Sequence, residues 1–349
     1  MSDKDISSFL KVKVTNLVIS DGADLDPLLL NWSNIYKSRL SRIIDSAENY
    51  LTANDSPRPS FLFESGDPWI IVIGPSFDKA IECFGNEETA LKNISDMRRK
   101  RPESPARALL EAEFWIASAW KARGPGFADT VTEEGSKQFI ERLSKAEKVL
   151  IESKAYASTI PYWYLLMTQV EGGLGRNFEK IHATFVEGAQ KYRTYYPLYK
   201  TMVNYSSPKW GGNWDVVDDL ISWSVNNTTD LEGNGMYSRL YTSLYCCRIA
   251  GNDPFKVGKY SWPKMKAGFE DLVKQYPTNY IFLNDFAKFS CLAKDKTTYI
   301  PLRTQMGNKI ISASWRPFET ETNPNGNNQE KVRVDQLKLC DQQMGYAKN

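Results

Sequence analysis

Residues 162–192 read YWYLLMTQVEGGLGRNFEKIHATFVEGAQKY, and they decide the fold. Tyr162 to Val170 is apolar nearly all round, which suits a helix held in an interior rather than on a surface. Gly172-Gly173 stops it. Phe178, Ile181, Phe185, Ala189 and Tyr192 then recur at helical spacing on one face. A buried helix, a tight turn and an amphipathic helix in sequence are what an antiparallel helix pair requires.

The same grammar extends both ways. Upstream, Leu109, Leu110, Phe114, Ala117 and Trp120 form one stripe, and Phe139, Leu143, Ala146, Val149 and Leu150 the next. Downstream come Trp214, Val217, Ile221 and Val225, then Tyr237, Leu240, Tyr241 and Leu244. Trp262, Met265, Phe269, Leu272, Val273 and Tyr276 follow, and Phe282, Phe286, Phe289 and Ala293 close the series. Stop signals separate them: Gly124-Pro125-Gly126, Gly172-Gly173, Pro208, Asn234-Gly235, Asp253-Pro254 and Pro277. Helix pairs recur at roughly 35 to 40 residues, near the tetratricopeptide period. No pair carries the full tetratricopeptide consensus. The expected architecture is therefore mainly α: an irregular, right-handed α-solenoid of antiparallel, tetratricopeptide-like helix pairs over residues 102–318.

Residues 1–101 read differently. Lys11 to Ile19, with Val12, Val14, Val18 and Ile19, reads as a short strand. Asp26-Pro27 opens a helix running to Leu51, and Ser56 to Ser60 breaks it. Trp69 to Ile73 reads as a buried strand, although periodicity leaves a helix open. Phe77 to Met97 reads as helix. This gives a small α/β N-terminal region, either a separate domain or a solenoid cap. Residues 319–349 form a polar linker, rich in Asn, Glu and Thr, followed by a polar helix over 329–346.

Composition bounds the function. The chain has 349 residues, 42% of them hydrophobic, with 44 basic and 42 acidic side chains and a net charge of +2. Such a balance argues for neither a nucleic-acid nor a membrane partner. The N-terminus lacks a basic stretch followed by an apolar one, so a cytoplasmic location is expected. The longest apolar runs are too short to span a bilayer. Five cysteines, Cys83, Cys246, Cys247, Cys291 and Cys340, are odd in number and irregular in spacing. They read as reduced thiols, with no zinc or redox motif. No cofactor is implied.

His182 is the single histidine. A Ser-His-Asp or Cys-His site would have to use it, yet it sits beside apolar Ile181 and Phe185, as a structural histidine does. Glu111 and Glu113 are two apart on a helix and point to different faces. Asp215, Asp218 and Asp219 fall in the first turns of a helix, where acids suit the dipole, with no companion ligands for a metal. Gly172 to Asn177 lacks the third glycine of the dinucleotide fingerprint and a strand before it, so it fails as that motif and reads as a helix–helix turn. Arg98 to Arg101 reads as a solvated helix end. No catalytic set emerges.

Two elements stand out as candidate partner contacts. In Pro208-Lys209-Trp210-Gly211-Gly212-Asn213-Trp214, the glycines permit close approach and Asn213 can cap the helix that follows. One reading is a rigid corner plugged by Trp210. The other is a contact with Trp210 as anchor and Lys209 as charge. Arg123, before Gly124, either bonds the last helical carbonyls or offers a charge to a ligand.

Several segments resemble an uncharacterised bacterial family of tetratricopeptide-like helical proteins. They are Trp120-Lys121-Ala122-Arg123-Gly124, Tyr195-Tyr196-Pro197-Leu198-Tyr199, Pro208-Lys209-Trp210-Gly211-Gly212, and Phe286 to Asp295 followed by Trp315. Pro-Lys-Trp-Gly-Gly is the most specific of them. The similarity covers residues 102–318 and implies a helical-repeat fold without implying a chemistry. The expected function is a non-enzymatic protein–protein interaction module, in its sharper form an immunity-type protein that binds and neutralises a toxin. The alternative is an enzyme or small-ligand-binding protein with a site between helices near Arg123, His182 and Asp215.

Overall fold

The computed structural model describes residues 86–124, 130–246, 254–315 and 329–346. The strands expected over Lys11 to Ile19 and Trp69 to Ile73, and the helix from Asp26, lie outside these residues, as does the linker at 319–328. The described part is mainly helical, with no strand among the described residues. Residues 86–202 belong to one compact unit and residues 203–346 to a second.

The first unit runs α1 (Glu87–Lys100), α2 (Pro105–Arg123), α3 (Glu133–Ala157), α4 (Pro161–Gly173), α5 (Phe178–Lys191) and the start of α6 (Tyr196–Tyr205). Polar side chains start these helices. Asn86, Ser104, Thr132 and Asn177 each accept a hydrogen bond from a backbone N–H three residues on. A cap of this kind contributes about 1 kcal/mol. Helix α2 is buried without a break from Ala106 to Ile116, and α4 from Pro161 to Thr168. Their neighbours α3 and α5 bury one stripe each: Phe139, Leu143, Ala146 and Leu150 on α3, and Ile181, Phe185 and Ala189 on α5. Packing runs between successive helices: α1 on α2, α2 on α3, α3 on α4, and α4 on α5, with α2 also touching α4.

The second unit runs through a short 3-10 turn (Pro208–Trp210) to α7 (Trp214–Glu232), α8 (Gly235–Cys246), α9 (Pro254–Val257), α10 (Trp262–Gln275), α11 (Tyr280–Leu292), α12 (Lys296–Met306) and α13 (Gln329–Met344). Asn213, Asn279 and Asp295 cap α7, α11 and α12. Helix α11 is buried along most of its length, with Phe282, Leu283, Phe286, Ala287, Phe289 and Cys291 all buried. Trp315 is fully buried, and its indole N–H donates to Asn284 of α11 at 2.8 Å. Here too α7 packs on α8, α8 on α10, α10 on α11, and α11 on α12.

One backbone corner occurs three times. Helices α1, α5 and α10 are each 14 residues long. They end at Arg101 (φ −143, ψ 71), Tyr192 (φ −129, ψ 65) and Tyr276 (φ −123, ψ 65). In each, the N–H three residues later bonds back to the carbonyl of that terminal residue: Ser104 to Arg101, Tyr195 to Tyr192, and Asn279 to Tyr276. The next helix starts at once. Pro102 and Pro277 follow the terminal residue in two of the three, and a proline disfavours helical backbone in the residue before it.

The cysteine expectation needs correction. Cys291 and Cys340 form a disulfide across a sequence separation of 49. Packing of α13 on α11 brings their Cα atoms to 5.8 Å. An odd count with irregular spacing carries no sign of such a tertiary neighbour. By loop-closure entropy a bond of this span contributes about 4 kcal/mol.

Candidate functional site

The Pro208–Trp214 element is a corner built from backbone hydrogen bonds. The Trp210 N–H donates to the Ser207 carbonyl at 2.9 Å, Gly211 to Pro208 at 3.1 Å, and Gly212 to Ser207 at 3.1 Å. Ser207 in turn bonds the Asn204 carbonyl through its N–H and its hydroxyl. Gly211 has φ 84, in the left-handed region. A Cβ on Gly212 would lie 1.9 Å from the Ser206 carbonyl oxygen, so no other residue fits. Asn213 accepts from the Val216 N–H at 2.9 Å and starts α7.

Within this corner Lys209 is exposed and Trp210 half-buried. The Trp210 ring rests on Tyr205, with centroids 4.8 Å apart. Burial pushes the Tyr205 phenol well above its ordinary range. The Trp214 ring begins an aromatic chain. It meets Tyr260 at 6.2 Å, and Tyr260 meets Tyr241 at 4.3 Å, which meets Tyr237 at 4.7 Å. The Tyr241 hydroxyl donates to Asp218 at 2.5 Å. Burial, then this bond, raises its phenol beyond the usual range, and Tyr237 is pushed up to about 12 by burial. Asp215 pairs with Lys259. Asp215 and Asp218 are thus engaged with different partners. Among the described residues no group of three or more His, Cys, Asp or Glu is placed to hold a metal.

The other expected residues lie in the first unit. The Arg123 guanidinium sits 5.5 Å from the Trp120 ring and 6.0 Å from Phe139, and donates to the Gly124 carbonyl at 3.3 Å. Gly124, with φ 77, terminates α2. The half-buried His182 ring stacks on Phe178 at 5.5 Å and lies 6.2 Å from Phe185. Glu111 accepts from Arg107 and Arg98, whereas Glu113 accepts from Tyr162 at 2.6 Å. So Lys209, Trp210, Gly211, Gly212 and Trp214 share one corner, while Arg123 belongs to the other unit.

Sequence reading missed the buried ionic groups, Glu171 and the Glu232–Arg239 pair among them. Glu171 is 0% exposed, 3.5 Å from the Lys180 ammonium, and burial pushes its carboxyl up. Glu232 and Arg239 are both buried, with the Arg239 Nε 2.9 Å from one carboxylate oxygen and its Nη2 3.0 Å from the other. That guanidinium also lies 4.7 Å from Phe282 and 5.5 Å from Tyr276. A seven-residue spacing across a helix corner gives no warning of the pairing. Such pairs anchor a fold more readily than they do chemistry.

No helix among the described residues is long and apolar enough to cross a membrane. No family model, curated protein or solved structure matches the chain.

Proposed function

We propose that this chain is a non-enzymatic protein–protein interaction module of the bacterial cytoplasm, built as an irregular α-solenoid of tetratricopeptide-like helix pairs. The observation that carries the reading is the threefold corner. Three 14-residue helices turn into their successors through one backbone shape, at Arg101, Tyr192 and Tyr276. Recurrent corners and packing between successive helices are the marks of a repeat protein. Such proteins present extended surfaces, and their usual ligands are other proteins. The Pro-Lys-Trp-Gly-Gly resemblance belongs to the same reading.

The contact residues in this proposal are Lys209 and Trp210, on the corner that Gly211 and Gly212 shape, with Trp214 at the start of the next helix and Arg123, in the other unit, as a separate point. A half-buried indole beside an exposed ammonium, on a corner whose glycines fix its shape, suits an anchoring contact. In its sharper form the module is an immunity-type protein that neutralises a toxin.

Affinity capture of the tagged protein from its native host, at low and moderate salt, tests this. The expected result is one stoichiometric protein retained at both salts, and growth rescue when that protein is toxic alone. Retention of no protein at either salt overturns the reading.

A further inference from the structure

We propose that Glu171 is a proton-binding site that couples the α4–α5 corner to pH: the corner closes with a proton on the Glu171 carboxyl and loosens when that proton leaves. The proposal stands apart from the partner-binding reading and succeeds or fails without it.

The argument begins with how two acids share two cations. Glu147 on α3 takes the larger part. It accepts from the Arg176 Nε at 3.2 Å, the Arg176 Nη2 at 2.6 Å and the Lys180 ammonium at 3.0 Å. Glu171, near the end of α4, is left with the same ammonium at 3.5 Å. Its side chain is enclosed, and no hydrogen bond from the described residues reaches either carboxylate oxygen. The Thr184 hydroxyl of α5 lies beside it without a well-formed bond. Lys180 does not make up the difference, because its side chain is 45% exposed and water screens its charge. Thr168, one turn back on the same face of α4, is buried with its own hydroxyl unpartnered, so α4 adds no bond. Other acids on the helices around α4 are engaged elsewhere. Glu113 of α2 accepts from Tyr162, and Glu187 of α5 accepts from Tyr164 and Lys154.

An enclosed carboxylate without hydrogen bonds is costly, and a second carboxylate on the shared ammonium adds repulsion. Neutralising one of the two removes both costs. The two groups are pushed apart accordingly. Burial chiefly, with the Glu147 charge added, pushes the Glu171 carboxyl up against the pull of Thr184 and Lys180. At Glu147 the bonds from Arg176 and Lys180 outweigh burial and hold the carboxyl down. The proton of the pair therefore resides on Glu171. This residue also sits on the corner itself, since its carbonyl accepts from the Arg176 N–H at 2.9 Å. Opening the corner exposes the carboxyl to water, so ionisation favours the open form. A folded-state pKa raised above the unfolded value gives stability that is present at low pH and lost as pH rises through the folded midpoint.

The full-length protein, labelled with 13C at its glutamate carboxyl carbons, reports the site by NMR titration. The expected midpoint for Glu171 lies above the ordinary glutamate value of about 4.3, and that for Glu147 below it. Glu171→Gln mimics the protonated form. At pH 7 its Tm should exceed that of the native protein by at least about 2 °C, and the gap should narrow toward pH 4. Hydrogen exchange of amides 171–184, corrected for its intrinsic pH dependence, reads the corner. Protection in the native protein should fall as pH rises through the midpoint, by up to about tenfold for each unit that the midpoint stands above 4.3, and stay flat in Glu171→Gln. If the variant does not fold, the titration and exchange of the native protein decide. A Glu171 midpoint at or below the ordinary value overturns the proposal. So does a lower Tm for Glu171→Gln at pH 7, which would make Glu171 and Lys180 a structural ion pair, and so does corner protection that ignores pH.

Discussion

Two corners of this molecule are made by the same hydrogen bonds from different residues. After α4, the Gly175 N–H bonds the Gly172 carbonyl at 3.1 Å and the Arg176 N–H bonds Glu171 at 2.9 Å. After α11, the Lys294 N–H bonds Cys291 at 2.9 Å and the Asp295 N–H bonds Ser290 at 2.9 Å. Both close a 13-residue buried helix through a left-handed residue, Gly175 with φ 62 and Lys294 with φ 58. Glycine takes that conformation freely, whereas a lysine there costs about 1–2 kcal/mol. The difference teaches that the geometry of the helix pair imposes the turn, and that neighbouring contacts must offset the strain when the residue is wrong for it.

Those neighbouring contacts gather on Asp295. Its carboxylate accepts from the Thr298 N–H, the hydroxyls of Thr297 and Thr298, the Trp262 indole N–H and the Lys266 ammonium. The disulfide begins at Cys291, whose carbonyl accepts one of the corner's own bonds. At the α4–α5 corner Asn177 caps α5 in the same way, its side-chain oxygen accepting from the Lys180 N–H at 3.0 Å.

The largest expected effect breaks this asymmetry. Asp295→Ala should destabilise the second unit by about 2–4 kcal/mol, measured by denaturant unfolding, because it removes a cap and leaves the half-buried Trp262 N–H without its acceptor. Asn177→Ala should cost only about 1 kcal/mol. The same comparison has a pH signature. Burial alone would raise the Asp295 carboxyl, but hydrogen bonds from Thr297, Thr298 and Trp262 outweigh burial and hold it far below the usual carboxylate range. A depressed folded-state pKa gives stability that is present above the unfolded value, about 3.9, and lost as pH falls toward the folded one. The stability gap between the native protein and Asp295→Asn should therefore narrow as the pH drops below about 4. A gap that stays constant from pH 7 to pH 3 would remove Asp295 as the compensating group.

A smaller effect sharpens the backbone side of the comparison. A Cβ on Gly175 meets nothing within 4 Å, so Gly175→Ala isolates the conformational cost and should destabilise by about 1–2 kcal/mol. The reverse change, Lys294→Gly, relieves the strain but gives the unfolded chain more freedom. A net gain of about 0.5–1 kcal/mol is expected, seen as a raised Tm. A loss on Lys294→Gly would show that the lysine side chain contributes more than its backbone costs.

These corners also mark what the sequence reveals. Helical stripes such as Ile181, Phe185 and Ala189 were legible because burial on one face imposes a period. Gly124, Gly175 and Asn213 were legible because turn and cap chemistry is local. Lys294 was not, since a lysine carries no sign of a left-handed backbone that its tertiary setting imposes. The disulfide was hidden for a related reason: Cys291 and Cys340 become neighbours only through helix packing. The Glu232–Arg239 pair joins two helices across a glycine corner, where spacing has no fixed meaning. At the candidate site, Gly211, Gly212 and Asn213 announced a shaped corner, but the roles proposed for Lys209 and Trp210 depend on a partner's surface that one chain alone does not define.

The central claim is that this corner serves a protein partner. Its most direct test is a binding titration of the captured partner against the native protein and Lys209→Glu. Lys209 is exposed, so folding should be unaffected and Tm should stay within about 2 °C. The account predicts that Kd rises at least about tenfold, as expected for a reversed charge at a contact. An unchanged Kd with an unchanged Tm would contradict it, and would return the Pro208–Trp214 element to a purely structural role.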